Sequence, residues 1–403
     1  MALGDGADDA ALNRAWSAFC DTLKSAGEQA FKDLNPTSAA HRVDALRFLT
    51  QNLGQAFDLA LETRDTRYPS LHAFCGPTRK LGGDCADFTY QQAWIDGRST
   101  YRIVGERGTA RFLNITVQGA RRDGPGVLHE PFGDVPEVNL AGHQLAVDED
   151  GTFEVRVGGA RCGPNWLPTT AESRKVFIRQ GFDSWDERPA RLRIERVDMD
   201  SPQPLPTVAQ LTGAIAWAGD FVTGLMHDWP EYPFSHGGVD ATRPNCFPAA
   251  GSTDEDAKRG RAAVNMHWRL ARDEALVIEF DAHDGLWMLT NMGVFFNSMD
   301  FRYRPVSYTP SRTAVDSDGV VRIILAHRDP GCHNWMDTQG FEIGNVTYRH
   351  MLDGQPAVLR TRLVRYADLA AELPADTVRV TPQQRVAQMW QRFNGIRQRY
   401  AAL

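Results

Sequence analysis

Residues 327–338 read HRDPGCHNWMDT and set His327, Asp329, His333 and Asp337 within eleven positions. Imidazole and carboxylate side chains on one turn can supply general acid and base, because imidazole exchanges protons near neutral pH and flanking strands hold the turn still. A solvated Asp-Pro turn with hydrogen-bonding histidines is the structural alternative. Asn334 and Trp335 in the same run offer a polar contact and an apolar wall for a ring-shaped substrate. His327, His333 and Asp337 also suit zinc or iron. Their spacing matches no strong metal motif, so no cofactor is predicted and a divalent metal is kept only as a variant. Cys332 adjoins His333, but neighbours on extended chain point to opposite faces, which opposes a thiolate–imidazole pair.

A second group lies in the proline- and glycine-rich stretch 226–256, where His227, Trp229, Glu231, Tyr232 and His236 alternate polar groups with aromatic plates. Such a segment suits closure over a ligand and stacking on a ring; packing between domains is the alternative. Arg349 is a candidate for stabilising charge. Asp84 and Asp87 are read as turn or helix caps.

Residues 159–169, GARCGPNWLPT, repeat the Asn-Trp phrase as Asn165-Trp166. Gly159, Arg161 and Pro168 stand where the later copy has His327, Asp329 and Asp337, so acids and imidazoles have gathered in one copy only. A motif kept in both copies points to folding, with the Trp packing and the Asn satisfying turn backbone, while the divergent flanks point to chemistry. The repeat extends further: Asp150-Gly151 recurs as Asp318-Gly319, PARLRIERV (189–197) as PAVLRTRLV (356–364), and Val208-Ala209-Gln210 as Val386-Ala387-Gln388. The steady offsets of the first two, with a similar helix start following each, indicate an internal duplication.

Period-two alternation, as in Leu192 and Ile194 against Arg191, Arg193 and Glu195, predicts strands. The fold class is therefore mainly β with helical additions: two tandem antiparallel β-sandwich units of jelly-roll-like type, a helix closing each. Leu12, Trp16, Phe19 and Leu23, then Val43, Leu46, Leu49, Leu53, Phe57 and Leu61 after an Asn35-Pro36 cap, predict an N-terminal helical hairpin. The last helix opens with a capping box at Thr381, and its Arg385, Arg392, Arg397 and Arg399 are read as a solvated or acid-facing side. The expected divisions are the hairpin at 1–70, a first unit at 84–225, a connecting loop at 226–262 and a second unit at 263–403.

The 403 residues are 42% hydrophobic and 24% charged with a formal net charge of −7, which leaves no basic footprint for nucleic acid. MALGDGADDAALNRAW lacks the features of a secretory signal, and no run of apolar residues is long enough to span a membrane. Six dispersed cysteines lack any C-x-x-C pair. The expectation is a cytoplasmic protein without membrane or nucleic-acid partners.

The residues DGRSTYRIVGERG, GPNWL, FDSWD, LWMLTNMG and HRDPGCHNWMDTQG together resemble a bacterial family called domain of unknown function 1214, often paired with the related domain 1254. The resemblance is best over about 265–365 and looser over 84–200. It implies a double jelly roll and a homo-oligomer, with a trimer as one form, but no activity. The functional expectation is hydrolase or lyase chemistry on a small glycoside-like or ring-containing metabolite, with Asp329, His333 and Asp337 as acid and base. The alternative is a non-catalytic oligomeric ligand-binding or scaffold protein.

Overall fold

The computed structural model describes residues 6–32, 38–120, 134–249, 251–351 and 356–401. Helices α1 (Gly6–Glu28) and α2 (Ala39–Phe57) form the N-terminal helical hairpin. Asn35-Pro36 lies outside the described residues; Ser38 caps α2, accepting a hydrogen bond from the His41 amide. The α2 stripe is rotated from the expected one: Ala45, Phe48, Leu49, Asn52 and Ala56 are buried, while Val43 and Leu46 are exposed. Phe48 meets the Phe295 ring of the second unit at 5.5 Å, and Asn52 donates to the Lys80 carbonyl at 2.8 Å, so partners on other elements decide which side turns inward. Trp16, expected inside, is likewise exposed on α1.

The first sandwich comprises β1 (His72–Cys75), β2 (Phe88–Trp94), β3 (Tyr101–Glu106), β4 (Phe112–Ala120), β5 (Asp134–Ala141), β6 (Thr152–Val157), β7 (Trp166–Leu167), β8 (Ser173–Gly181) and β9 (Arg191–Arg196). Its sheets are ordered β1-β2-β8-β4-β5 and β7-β6-β3-β9. Helices α3 (Val208–Ser235) and α4 (Asp254–Arg259) lead to the second sandwich. That unit comprises β10 (Arg261–Arg269), β11 (Glu274–Asp281), β12 (Trp287–Met292), β13 (Ser307–Tyr308), β14 (Val320–Ala326), β15 (Trp335–Asp337), β16 (Ile343–Met351) and β17 (Arg360–Arg365), followed by α5 (Leu369–Glu372) and α6 (Pro382–Ala401). Its sheets run β10-β16-β12-β13 and β15-β14-β11-β17. Apart from β1, every strand has a counterpart with the same neighbours, so the sequence repeat is a repeat of topology. Even the short parallel pairs recur, β6 with β7 and β14 with β15.

Alternation sorts each strand into two faces. Ile103, Ile115, Val155, Val176 and Ile178 fill the first sandwich, and Ile278, Leu289, Ile323, Val346 and Tyr348 fill the second. A third core joins the units, where Phe221, Val222 and Leu225 of α3 pack with Phe88 and Tyr90 of one sandwich and Met288 and Met292 of the other. Phe221 is completely buried, so truncating it to Ala would cost about 3–5 kcal/mol.

The expected loop over 226–262 is helical as far as Ser235, with Pro230 and Pro233 inside the helix. Leu225, Trp229 and Pro233 continue a buried stripe at four-residue spacing, and that burial outweighs the loss of proline N–H donors near the helix end. The same span also contains α4 and the first residues of β10.

Candidate functional site

The acids and imidazoles of 327–338 are each taken up by local bonds. Asp329 accepts from Arg385 Nε of α6 at 2.9 Å and from the Gly331 amide at 2.9 Å. Asp337 accepts from Arg304 Nη1 at 2.6 Å and the Gln339 amide at 2.9 Å. The two rings of His327 and His333 have separate partners: His327 pairs through Nδ1 with Thr338 Oγ1 at 2.9 Å, His333 through Nδ1 with Gln388 at 3.1 Å. Burial, reinforced by Arg385, holds His333 below the ordinary imidazole range against one opposing backbone hydrogen bond.

Asn334 accepts from the Ala314 amide at 2.9 Å and donates to the carbonyls of Ala314 at 2.8 Å and Arg322 at 2.9 Å, while Trp335 Nε1 donates to Ala326 O at 3.0 Å. Asn165 makes the same set of bonds, to Ala146 N at 2.8 Å, Ala146 O at 2.7 Å and Glu154 O at 3.0 Å, and Trp166 Nε1 reaches Gly158 O at 3.2 Å. Both copies thus use Asn-Trp as a clasp across strand and turn. None of His327, Asp329, His333, Asn334, Trp335 and Asp337 lines the cavity between the sandwiches or the one beside the end of α6.

Of the α6 arginines, Arg397 is exposed, Arg385 and Arg399 face the acids Asp329 and Asp87, and three of the four are more deeply placed than a solvated side would be. Arg385, Arg392 and Arg399 are buried. Arg392 donates to Ser307 Oγ at 3.0 Å and Ser307 O at 2.8 Å. Arg399 meets Asp87 at 3.2 Å, as Arg312 does at 2.7 Å, and the guanidiniums of Arg312, Arg392 and Arg399 all lie over the Trp185 ring. Burial opposes the Asp87 charge, but these arginines outweigh it and hold the carboxyl below its usual range. Asp87 is therefore a buried ion-pair partner rather than a cap. Asp84 does act on backbone, accepting from the Ser298 amide at 2.8 Å.

The larger cavity, about 810 Å³, opens between the sandwiches. On β8, Val176 and Ile178 point into the first core, which turns Lys175, Phe177 and Arg179 to the other face. On β16, Val346 and Tyr348 point into the second core, which turns Thr347 and Arg349 outward likewise. The two outward faces oppose one another across the cavity. Arg261 and Asn265 of β10 extend the second wall, and Tyr90 and Gln92 of β2 the first. Among the earlier candidates, Trp229, Tyr232, His236 and Arg349 line this space; His227, bonded to Asp228 at 2.9 Å, and Glu231 do not.

An aromatic wall closes one side. Phe296 stacks with Tyr232 at 5.5 Å and with Trp229 at 6.5 Å between ring centroids. The rings press on the Gly82-Gly83 turn, where a Cβ would stand 2.5 Å from Trp229 and 2.4 Å from Phe296, and both φ angles are positive, at 57° and 69°. Only glycine meets both demands. The carbonyl of Gly83 in turn accepts from Arg349 Nη2, tying the aromatic wall to the charged one.

Most cavity charges carry their own counter-charge. Lys175 and Arg174 share Asp134, and Arg259 of α4 pairs with Glu255 and Asp256. Lys80 donates to Ser298 Oγ at 2.9 Å, and Ser298 donates on to Asp84. Arg179, Arg261 and Arg349 differ: among the described residues none forms an ion pair, and Nε and Nη1 of Arg179, Nε of Arg261, and Nε and Nη1 of Arg349 are buried without an acceptor. Burial, then the neighbouring guanidiniums, pulls Arg179 well below the usual arginine range; burial and Arg349 bring Arg261 down to about 10. Three like charges gathered away from water with unmade hydrogen bonds are a poor way to stabilise a fold and a good way to receive an anion. Among the described residues no group of three or more His, Cys, Asp or Glu side chains is placed to hold a metal ion.

Neither Arg179 nor Arg261 was singled out by motif. A signal was present: Arg179 and Arg349 stand 170 residues apart, close to the offsets of the repeat, in the aligned runs KVFIRQ and NVTYRH. They occupy equivalent places on equivalent strands, Arg179 opposite Tyr90 of β2 and Arg349 opposite Ala263 of β10.

The stretch that carries Arg179, from before β2 through most of β8, also carries a family signature. Residues 86–180 match the family described as protein of unknown function, DUF1214. The DUF1214 resemblance thus holds, and the matched residues lie in the first sandwich rather than over 265–365, where the motifs had placed the better likeness. The structure resembles that of an uncharacterized protein from Burkholderia cenocepacia, with a TM-score of 0.78 and 29% identity over 88% of this chain and 97% of that one. A Vibrio parahaemolyticus protein aligns over 85% of this chain and 100% of its own at a TM-score of 0.41 and 10% identity. No curated protein matches the sequence. The likeness to the Burkholderia cenocepacia protein speaks to fold and leaves the chemistry to the cavity.

Proposed function

We propose that this protein binds a small anionic metabolite with a ring or apolar body in the cavity between its two sandwiches. The observation that carries the reading is the meeting of buried Arg179 and Arg349 with half-buried Arg261, all without carboxylate partners among the described residues, on opposed walls of one space. An anion there would gain charge-assisted hydrogen bonds in a low-dielectric setting, where they are about twice as strong as neutral ones. Trp229, Tyr232 and Phe296 offer the body of the ligand an apolar surface. Hydrolase or lyase chemistry, on this reading, acts on the ligand inside the cavity; the turn at 327–338 has its acids and imidazoles already engaged. Titration calorimetry with a panel of small aromatic and aliphatic anions tests the reading. Saturable binding that Arg179→Met abolishes supports it, and no binding by any anion of the panel overturns it.

A cytoplasmic setting draws support from six free cysteines, three of them exposed. No helix among the described residues is long and apolar enough to cross a membrane. Self-association draws support from an aromatic group on α6, where exposed Trp390 and Tyr303 flank Phe393 at 5.8 and 5.4 Å. Sedimentation of the wild type against Trp390→Glu tests that part, and a monomer in both would overturn it.

A further inference from the structure

Resting on the anion-site reading above, we infer that the ligand's charged group is a tetrahedral dianion of the phosphate-monoester type rather than a carboxylate. The first reason is donor number. Five buried guanidinium nitrogens, two each on Arg179 and Arg349 and one on Arg261, lack acceptors among the described residues. A carboxylate presents two oxygens with about four lone-pair sites and cannot serve three separate forks at once. A phosphate monoester presents three terminal oxygens, one for each guanidinium.

The second reason is charge. Lys175 pairs with Asp134 and Arg259 with Glu255 and Asp256, the last further held by Thr253 at the start of α4, while Asp84 is bonded to Ser298 and Asp254 lies exposed at the cavity's edge. Among the described residues the positive charge of the cavity that is outside any ion pair therefore sits on three arginines. A monocarboxylate would neutralise one of them and leave two like charges buried together. A phosphate monoester brings about −1.5 to −2 at neutral pH.

The third reason is direction. Arg179 reaches in from β8 of one sandwich and Arg349 from the equivalent place on β16 of the other. Arg261, opposite Met351 on β10, stands beside Arg349 along the same sheet. Donors on two facing walls surround a point instead of lying in one plane, which suits a tetrahedral head group better than a flat one. The Gly83 carbonyl on Arg349 Nη2 sets that fork in place before any ligand arrives.

The test is calorimetry on the full chain with phenyl phosphate, benzenesulfonate and benzoate, which share a ring and differ in head group. At neutral pH phenyl phosphate should bind at least about tenfold more tightly than benzoate. Its affinity should rise about tenfold between about pH 5 and about pH 7, because the second phosphate pKa lies near 6, while benzenesulfonate stays flat. Arg179→Met and Arg349→Met should each weaken phenyl phosphate by about tenfold or more. Arg179→Lys and Arg349→Lys keep the charge in case the methionine variants fail to fold, and should also bind more weakly because an ammonium cannot make the forked contact. Benzoate binding as tightly as phenyl phosphate, or phenyl phosphate binding unchanged in the lysine variants, would overturn the inference. In the first case the anion site itself would stand; binding of none of the three probes would remove both.

Discussion

Among the described residues two groups of three arginines gather at buried or half-buried places, and they differ in counter-charge. Arg312, Arg392 and Arg399 gather on Trp185 at the junction of α6 with both sandwiches, where Asp87 supplies a counter-charge and Ser307 and nearby backbone carbonyls receive part of their hydrogen bonds; Nη1 and Nη2 of Arg312 and the Nε atoms of Arg392 and Arg399 are buried without an acceptor among the described residues. Arg179, Arg261 and Arg349 gather in the cavity without a carboxylate partner among the described residues, and the carbonyl of Gly83 accepts from Arg349. The difference teaches that density of charge is a weak guide to function. What separates mortar from a binding site is whether the fold supplies the counter-charge. The turn at 327–338 falls on the mortar side by the same criterion, since every acid and imidazole in it is bonded to its own neighbourhood.

Removing the partner from the paired group should have the largest effect. Asp87→Ala leaves Arg312 and Arg399 buried without their counter-charge, and should destabilise the protein by about 3–5 kcal/mol in chemical denaturation. A loss below about 1 kcal/mol would show that the two groups are alike after all. In the cavity the sign reverses: Arg179→Met removes an unpaired charge, so the ligand-free protein should melt no lower than wild type and gain up to about 1–2 kcal/mol, while anion binding falls away. A stability loss comparable to that of Asp87→Ala would break the contrast.

The clasps sharpen it further. Asn334 is buried and bonded three ways, so Asn334→Ala should cost about 2 kcal/mol, and Asn165→Ala in the more open first copy about 1 kcal/mol, both without effect on ligand affinity. Measured anion binding that drops in either variant would return the turn to the functional side. A pH response outside both arginine groups offers a separate check. Burial, offset in part by Glu342, lowers His41 to about 4, and the ring stacks on Phe341 at 4.6 Å. The unfolded chain then takes up the proton first, so stability present above about pH 6.5 is lost as pH falls toward 4, by about 1–2 kcal/mol. His41→Phe should flatten that slope in melts recorded between those pH values. The Asp87 pairs act in a separate window, because a carboxyl held below its usual range gives up its stabilisation only as pH falls through the acid region beneath 4.

Much of the architecture was legible from residues 100–113, 150–197 and 318–364, because alternation and turn glycines are local and the repeat displays them twice. The Asn-Trp clasp was legible too, as a motif kept in both copies. The helix end at Ser235 was obscured by Pro230 and Pro233, whose local signal favours a loop and loses to burial of Trp229. Arg349 was picked out for its charge but grouped with Asp329 and His333, whose partners are Arg385 and Gln388 of α6 and which do not line the cavity. Arg179 and Arg261 went unremarked because a charged residue alternating with Val and Ile on a strand ordinarily faces water.

By itself the sequence determined which side of each strand an arginine occupies, since a period of two leaves no choice once Val176 and Ile178, or Val346 and Tyr348, are committed to a core. It also determined that the same choice was made twice, 170 residues apart. Only the tertiary structure decided that those two polar faces meet each other instead of solvent. That outcome depends on α3 and the aromatic wall wedging two sandwiches at a set separation, a sum of many weak long-range contacts that no short stretch of residues encodes.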